Sequence, residues 1–246
     1  MAGFFVDVHS HVVPSGDDGV QSREQGLELC RRAAQRGTGV LFATPHVWPT
    51  LPLPEEREEA VREAHAEMVP AAAQAGLELR LGFELTPTPA LLEEDPRRYR
   101  LEGLEAVLME LPFHGSLRLS ERLAEQIEAA GLTPVIAHPE RSQDVLETPS
   151  LAVGLRERGW LLQLNGSSLL GHHGPDIEAT AWDLVDRGVA DLVGSDGHRN
   201  TRPPLLDAAY RAVRQRVGER ADALFDGRAL GFELAARDRV DLAQRG

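Results

Sequence analysis

Two histidines one residue apart open this sequence, within Asp7-Val8-His9-Ser10-His11, and a donor pair with the same spacing returns far along the chain as Asp196-Gly197-His198. Side chains of an extended strand alternate with period two, so each pair presents both donors on one face. Between them lie Thr44-Pro45-His46, Gly82-Phe83-Glu84, Val107-Leu108-Met109-Glu110-Leu111 and Ala137-His138-Pro139-Glu140-Arg141. Imidazole nitrogens and carboxylate oxygens, with no thiolate among them, suit hard-to-borderline divalent cations. Glu110 is the sharpest single case. A carboxylate inside an apolar run must be paired or bound to metal, because burying it bare costs several kcal/mol.

A lone histidine after a strand is more often a capped or hydrogen-bonded loop residue, and His65, His114, His172 and His173 are read that way. The others recur in one position. Seven short apolar runs punctuate the chain: Phe4 to Val8, Val40 to Ala43, Leu77 to Phe83, Ala106 to Leu111, Pro134 to Ala137, Trp160 to Leu164 and Ala190 to Val193. Six of the seven end in, or carry, a histidine or a carboxylate. Gly16-Asp17-Asp18-Gly19 has the composition of a plain turn. It hangs beside His9 and His11, however, and one of its acids is read as a further ligand.

Helical candidates separate most of these runs: Ser22 to Arg36, Pro54 to Gln74, Leu117 to Ala130, Pro149 to Arg158 and Ile177 to Arg187. Several stop at a glycine, as at Gly37, Gly76 and Gly131, the usual residue just past a helix end. Strands alternating with helices imply βα units, a parallel sheet and right-handed crossovers. Seven units predict a single domain over 1–246, an α/β distorted (β/α)7 barrel with its site at the C-terminal ends of the strands, where such barrels build active sites. An open doubly wound sheet is the alternative. The tail from Pro203 onward is expected to be helical and without chemistry.

The chain has 246 residues, 42% of them hydrophobic and 26% charged, which suffices for a sizeable core. Its net charge of −13 argues against bulk binding to nucleic acid or to an anionic membrane. No stretch reaches the roughly 18 apolar residues that a span requires, and nothing near the start resembles a signal peptide. With one cysteine, no internal disulfide is possible, and the expected compartment is the cytoplasm.

That cysteine lies in Cys30-Arg31-Arg32-Ala33-Ala34-Gln35-Arg36, which matches the Cys-five-residues-Arg signature of cysteine phosphatases. That chemistry needs a loop of backbone N–H groups wrapped around phosphate at a helix N-terminus. Here the stretch is mid-helix, and positions six apart point to different faces. Cys30 shares a stripe with Leu27 and Ala34 and is expected in the core. The sequence contains no lysine at all. This excludes the carboxylated lysine with which many binuclear amidohydrolases that also begin His-x-His bridge their metals.

Taken together, the Asp7 to His11 run, Gly16-Asp17-Asp18-Gly19, Ala43-Thr44-Pro45-His46, Ala137 to Arg141, Ser195 to His198 and Arg202-Pro203-Pro204 resemble the PHP (polymerase and histidinol phosphatase) superfamily. Within it, the chain is most similar to the bacterial manganese-dependent tyrosine-protein phosphatases that accompany capsule or exopolysaccharide tyrosine kinases. The resemblance spans positions 7 to 204. It implies three divalent ions, manganese first, with iron, zinc or cobalt as other candidates, held by His9, His11, Asp18, His46, Glu84, Glu110, His138, Asp196 and His198. It also implies that Arg141 and Arg202 face the phosphate, that Asp18 and His46 belong to the catalytic set, and that the partner is a phosphotyrosine protein such as a bacterial tyrosine kinase. One departure is Val47-Trp48, where many relatives carry another histidine or basic residue after Thr-Pro-His.

Charge supports a phosphate ligand. Three divalent ions bring about +6 against about −4 from four carboxylates and about −1 from a hydroxide, leaving a positive site for a phosphomonoester dianion. Arg141 and Arg202 would add planar two-pronged donors. Three alternatives are a small-molecule phosphatase such as a histidinol-phosphate phosphatase, a TatD-type metal-dependent nuclease, and a metal-loaded binding protein without turnover. The first testable consequence concerns the cysteine. Cys30→Ser should retain hydrolysis within a few-fold; complete loss of activity with fold and metals intact would revive the cysteine-phosphatase reading.

Overall fold

The computed structural model describes residues 5–232. In chain order its main elements are β1 Phe5–Asp7, α1 Arg23–Gln35, β2 Thr38–Ala43, β3 His46–Val47, α2 Glu55–Gln74, β4 Glu78–Leu81 and β5 Glu84–Leu85. There follow β6 Ala106–Glu110, α3 Arg118–Ala129, β7 Thr133–Ala137, α4 Gln143–Glu147, α5 Ser150–Glu157, β8 Leu161–Asn165, α6 Gly166–Leu169, α7 Pro175–Asp186, β9 Leu192–Gly194, α8 Asp207–Val217 and α9 Asp222–Phe225. Short 3₁₀ turns complete the list, one of them at Pro139–Arg141. The fold is mixed α/β, and every strand pairing is parallel. Helical structure beyond Pro203 continues through α8 and α9; the part of that expectation falling on residues 233–246, like Phe4, lies outside the described residues.

Local chemistry sets the element ends. The Ser22 side chain caps α1 by accepting from the Gln25 N–H, and Gly37 takes φ +96° just beyond the helix. Glu55, Glu56 and Glu58 sit in the first turn of α2, where the positive end of the helix dipole favours them.

The strands fall into two sheets, ordered β1-β2-β4 and β3-β5-β6-β7-β8-β9. The apolar run Leu77 to Phe83 predicts one strand, but only Glu78–Leu81 of it is strand. β4 ends at Leu81, and β5 resumes at Glu84. β2 and β3 are divided in the same way by Thr44-Pro45, since proline has no N–H to give the ladder. The divided strands stay neighbours across the break, because Gly82 N–H donates to Ala43 O (2.9 Å) and Glu84 N–H to Pro45 O (3.1 Å). Counting β2 with β3 and β4 with β5 as two interrupted strands, each strand therefore lies beside its predecessor in sequence. At the far edge, a parallel bridge pairs Ser10 with Gly197, and Asp196 N–H donates to His9 O at 2.9 Å.

Strand alternation sorts the apolar side chains into two cores. Val6, Val8, Val40, Phe42, Ala106, Leu108, Val135, Ala137 and Leu192 form one cluster. Their neighbours Phe5, Leu41, Ala43, Val107, Met109, Ile136 and Val193 join the larger cluster shared with the helices. Glu110 continues the alternation of Ala106 and Leu108, which aims its carboxylate from the end of that strand face. Cys30 is fully buried in the helical cluster, and burial pushes its thiol up to about 12.

α1 crosses the chain after β1 so closely that a Cβ on Gly26 would run into the Val12 carbonyl and meet Met68 Cε at 2.7 Å. In a free helix, Gly→Ala stabilises by about 1 kcal/mol. Here the sign should reverse: Gly26→Ala is expected to cost about 1–3 kcal/mol, read as a lowered Tm, and an unchanged or raised Tm would contradict this packing.

Candidate metal centre

The centre is built on Glu84, the first residue of β5, whose side chain is fully buried. Its Oε2 lies 3.0 Å from His9 Nε2, 3.3 Å from His11 Nε2 and 2.9 Å from His46 Nδ1, and its Oε1 lies 3.0 Å from His138 Nε2. Asp196 Oδ1 is 3.5 Å from His9 Nε2 and 3.3 Å from His198 Nδ1. Glu110 Oε2 is 3.9 Å from His138 Nε2, and Asp18 Oδ1 is 3.2 Å from His198 Nε2 and 3.6 Å from His46 Nε2. All nine donors singled out from the sequence thus meet in one place. Most are buried, while the Asp18 side chain is 57% exposed at the rim. His65 bonds Leu79 O from α2, His114 bonds Gln143 in a loop, and His173 bonds Ser167. Neither these three nor His172 belongs to any potential metal-holding donor group among the described residues.

The outward nitrogens decide what the inward ones can do. His9 Nδ1 faces the Gln163 Oε1 at 2.8 Å, since the Gln163 amide nitrogen is engaged with Leu164 O and Asn165 Oδ1. His11 Nδ1 faces Asp17 Oδ2 at 3.2 Å. Both partners accept only, so both rings donate from Nδ1. A neutral imidazole then has only a lone pair on Nε2. These two Nε2 atoms sit 3.3 Å apart and point at carboxylate oxygens. Lone pairs converging on lone pairs require a positive charge between them. Outer-shell acceptors that fix the tautomer are also the usual accompaniment of metal-bound histidine. The donors form three overlapping groups, His9/Glu84/His138, His9/His11/Asp196 and His11/His46/His198, each with its ligand atoms within 4.8 Å of one another. The residues present fit divalent ions.

Protonation would be the other source of positive charge, and the titration directions reflect that pressure. Burial opposes the imidazolium at His9 and His11, but carboxylates outweigh it: Glu84 and Asp196 beside His9, and Asp17, Asp196 and Glu84 beside His11 raise both rings. Burial penalises the Glu84 and Asp196 anions too, yet the surrounding histidines hold both well below the usual carboxylate range. Glu110 goes the other way, pushed up to about 8 by burial and by the Glu84 charge.

Several residues that position the site carry no obvious signal in the sequence. Asp17, the neighbour of Asp18, is buried; besides its contact with His11, it accepts from the backbone N–H groups of His46 (3.1 Å) and Gly19 (3.0 Å). The Asp17-Asp18 turn lies so close that a Cβ on Gly19 would come within 2.5 Å of His11 O. Arg199 Nε donates to Asp18 O at 2.9 Å and holds the turn from the other side. β8, the one run without a histidine or carboxylate, contributes amides instead. Gln163 orients His9, and Asn165 Nδ2 donates to Asp196 Oδ2 at 2.8 Å. Thr86 donates to Glu110 Oε1. Asp7 accepts from Ser195 N–H at 2.9 Å, joining β1 to the end of β9.

His138 and Asp196 are the only non-glycine residues with positive φ, at 34° and 51°, among the described residues. Such conformations cost about 1–3 kcal/mol each and persist where the surroundings over-determine them. His138 follows β7 directly and Asp196 lies two residues past the end of β9, where the chain must turn a donor inward. Arg141 and Arg202 reach the same place. Arg141 Nη1 is 3.1 Å from Asp196 Oδ2, and Arg202 contacts His198 Nδ1 with its Nη2 3.7 Å from Asp196 Oδ1.

Parallel βα units that converge histidines and carboxylates from many strand ends define an α/β protein with donor groups able to hold metal ions. Residues 5–226 match the family described as capsular polysaccharide synthesis, CpsB/CapC, and the chain belongs to that family. The tyrosine-protein phosphatase YwqE of Bacillus subtilis is 31% identical over 202 residues, covering 78% of this chain and 77% of its own. The tyrosine-protein phosphatase CpsB of Streptococcus pneumoniae is 28% identical over 232 residues, covering 89% and 94%. A solved chain from the structures of these two proteins, described as metal-dependent tyrosine phosphatases, superposes with a TM-score of 0.79 at 28% identity, covering 88% of this chain and 89% of the other.

Proposed function

We propose that the chain is a metal-dependent phosphomonoester hydrolase that removes phosphate from phosphotyrosine on a protein, with a bacterial tyrosine kinase or another polysaccharide-pathway protein as its partner. The carrying observation is the convergence of the His9 and His11 Nε2 lone pairs on Glu84 and Asp196. Naming YwqE and CpsB as tyrosine phosphatases supports the choice of substrate.

His9, His11, Asp18, His46, Glu84, Glu110, His138, Asp196 and His198 would hold the ions. The three overlapping donor groups favour three ions per chain; the nitrogen-and-oxygen set suits borderline divalent ions in general, and manganese is the choice that the family resemblance implies. Divalent ions there would supply Lewis-acid stabilisation of charge developing on the phosphoryl oxygens. Arg141 and Arg202 carry the rest of the electrostatic work from the protein side, since a guanidinium is a planar donor and never an acceptor. Asp18, beside His46 and His198 at the exposed rim, is held as the anion by the His198 contact; no dedicated general acid is required at the departing oxygen, although His46 could serve. A tyrosine phenolate asks little of such an acid, because its conjugate pKa lies near 10. The Ser10–Gly197 bridge supports the reading that the two sheets are one closed, distorted (β/α)7 barrel, and the chain 1–246 is read as a single domain. Among the described residues no helix is long and apolar enough to cross a membrane; together with the single cysteine this favours the cytoplasm.

The test is a substrate panel of phosphotyrosine peptide, histidinol phosphate and single-stranded DNA, each with and without manganese. Manganese-dependent preference for the peptide is expected; preference for either other substrate overturns the assignment. Within the site, Arg141→Ala should lower kcat by about 10²–10³, the usual cost of one preorganised donor, with metal content and Tm near wild type. Arg141→Lys should recover little. Loss of metal, or a normal kcat on the peptide, would make Arg141 structural.

A further inference from the structure

One aromatic ring at the mouth of the site is left in water. Phe113, in the loop after β6, is 42% exposed, the most exposed of the large apolar side chains among the described residues. The loop holds it firmly. Phe113 O accepts from Gln143 N–H at 2.9 Å, and Pro112 O accepts from Ser142 Oγ at 3.0 Å. The ring stacks on His138, with centroids 5.9 Å apart and planes 27° apart, and the Arg141 guanidinium lies 4.7 Å from its centroid. Phe113 therefore touches both a donor of the metal cluster and the arginine assigned to the phosphate. At the opposite end of the cluster Trp48 stacks on His46 (4.2 Å, 27°), but Arg141 is on the Phe113 side.

An exposed apolar ring is ordinary when isolated on a surface. It calls for an explanation when hydrogen bonds fix it against catalytic-site groups. In an aryl phosphate the ring hangs from phosphorus through one bridging oxygen, so a phosphate engaged by Arg141 brings that ring to the Phe113 side of the mouth. Aromatic pairs gain stability beyond the area they bury, and an alkyl phosphate offers no such partner.

We propose that Phe113 is a specificity-determining residue, the wall against which the phenol ring of phosphotyrosine packs while Arg141 engages its phosphate. This inference rests on the phosphotyrosine reading given above and names the group that would enforce it. Phe113 contributes through ring recognition and leaves the phosphoryl contacts to Arg141 and the cluster.

Competitive inhibition of the metal-loaded full chain by phenylphosphonate and by methylphosphonate separates the two contributions, because both carry the same phosphonate and only one carries a ring. Phe113→Leu should raise Ki for phenylphosphonate by up to about tenfold and leave Ki for methylphosphonate unchanged, while Phe113→Tyr, which keeps the ring, should restore wild-type behaviour. A parallel rise in both constants would mean that Phe113 merely props Arg141, and no rise in either would mean that the ring goes unread; both results overturn the proposal. Any phosphomonoester the enzyme turns over can report these constants. Failure of wild type on phosphotyrosine peptide would sink the substrate assignment, whereas an unselective Phe113→Leu effect sinks only the role of Phe113.

Discussion

The whole arrangement answers to one constraint, a fully buried glutamate. Glu84 has no access to water, and an unpaired carboxylate in that position would cost several kcal/mol. Four imidazoles from three separate segments surround it, at His9 and His11, His46, and His138. Two of those rings are fixed by outward hydrogen bonds so that, when neutral, they bring only lone pairs. The Glu84 Oε2 that faces those two rings is therefore left uncompensated by them until positive charge enters the cluster. The same arithmetic that makes the empty cluster costly makes the filled one favourable, and it links metal binding to folding.

The surrounding structure serves to hold that geometry. The parallel strands run to a common end, so donors far apart in sequence become neighbours. Where a regular strand would not aim the donor correctly, the backbone leaves its favoured region, as at His138 and Asp196. An outer ring of Asp17, Gln163 and Asn165 then fixes orientation. Most of these partners are themselves buried, which makes each hydrogen bond expensive to lose.

Much of this was legible in the sequence because burial and metal binding select a few residue types. Every apolar run became a strand, and the five proposed helices formed with ends displaced by one or two residues. The His-x-His and Asp-x-His pairs pointed to the site, although both lie past the ends of β1 and β9 and Asp196, at φ 51°, departs from the strand alternation that suggested a common face. Other features were hidden for physical reasons. Gln163 and Asn165 are neutral amides following leucines, and only the third dimension shows that they carry His9 and Asp196. Asp17 and Asp18 are chemically identical neighbours, so nothing local says that the first is buried against His11 while the second stands at the rim. The strand breaks at Thr44-Pro45 and at Gly82-Phe83 arise where the ladder passes from one sheet to the other, and an apolar run reads straight across the second of them. Phe113 looked like an ordinary loop residue, since exposure and contacts are not written in hydropathy.

The central claim is that Glu84 and its histidines exist to hold metal. Elemental analysis of chelator-free protein after manganese supplementation, on wild type and Glu84→Gln in parallel, tests this directly. Roughly two to three ions per wild-type chain, with a marked drop in the variant, is the expected result. Fewer than about one ion per wild-type chain, or full occupancy in Glu84→Gln, would contradict it.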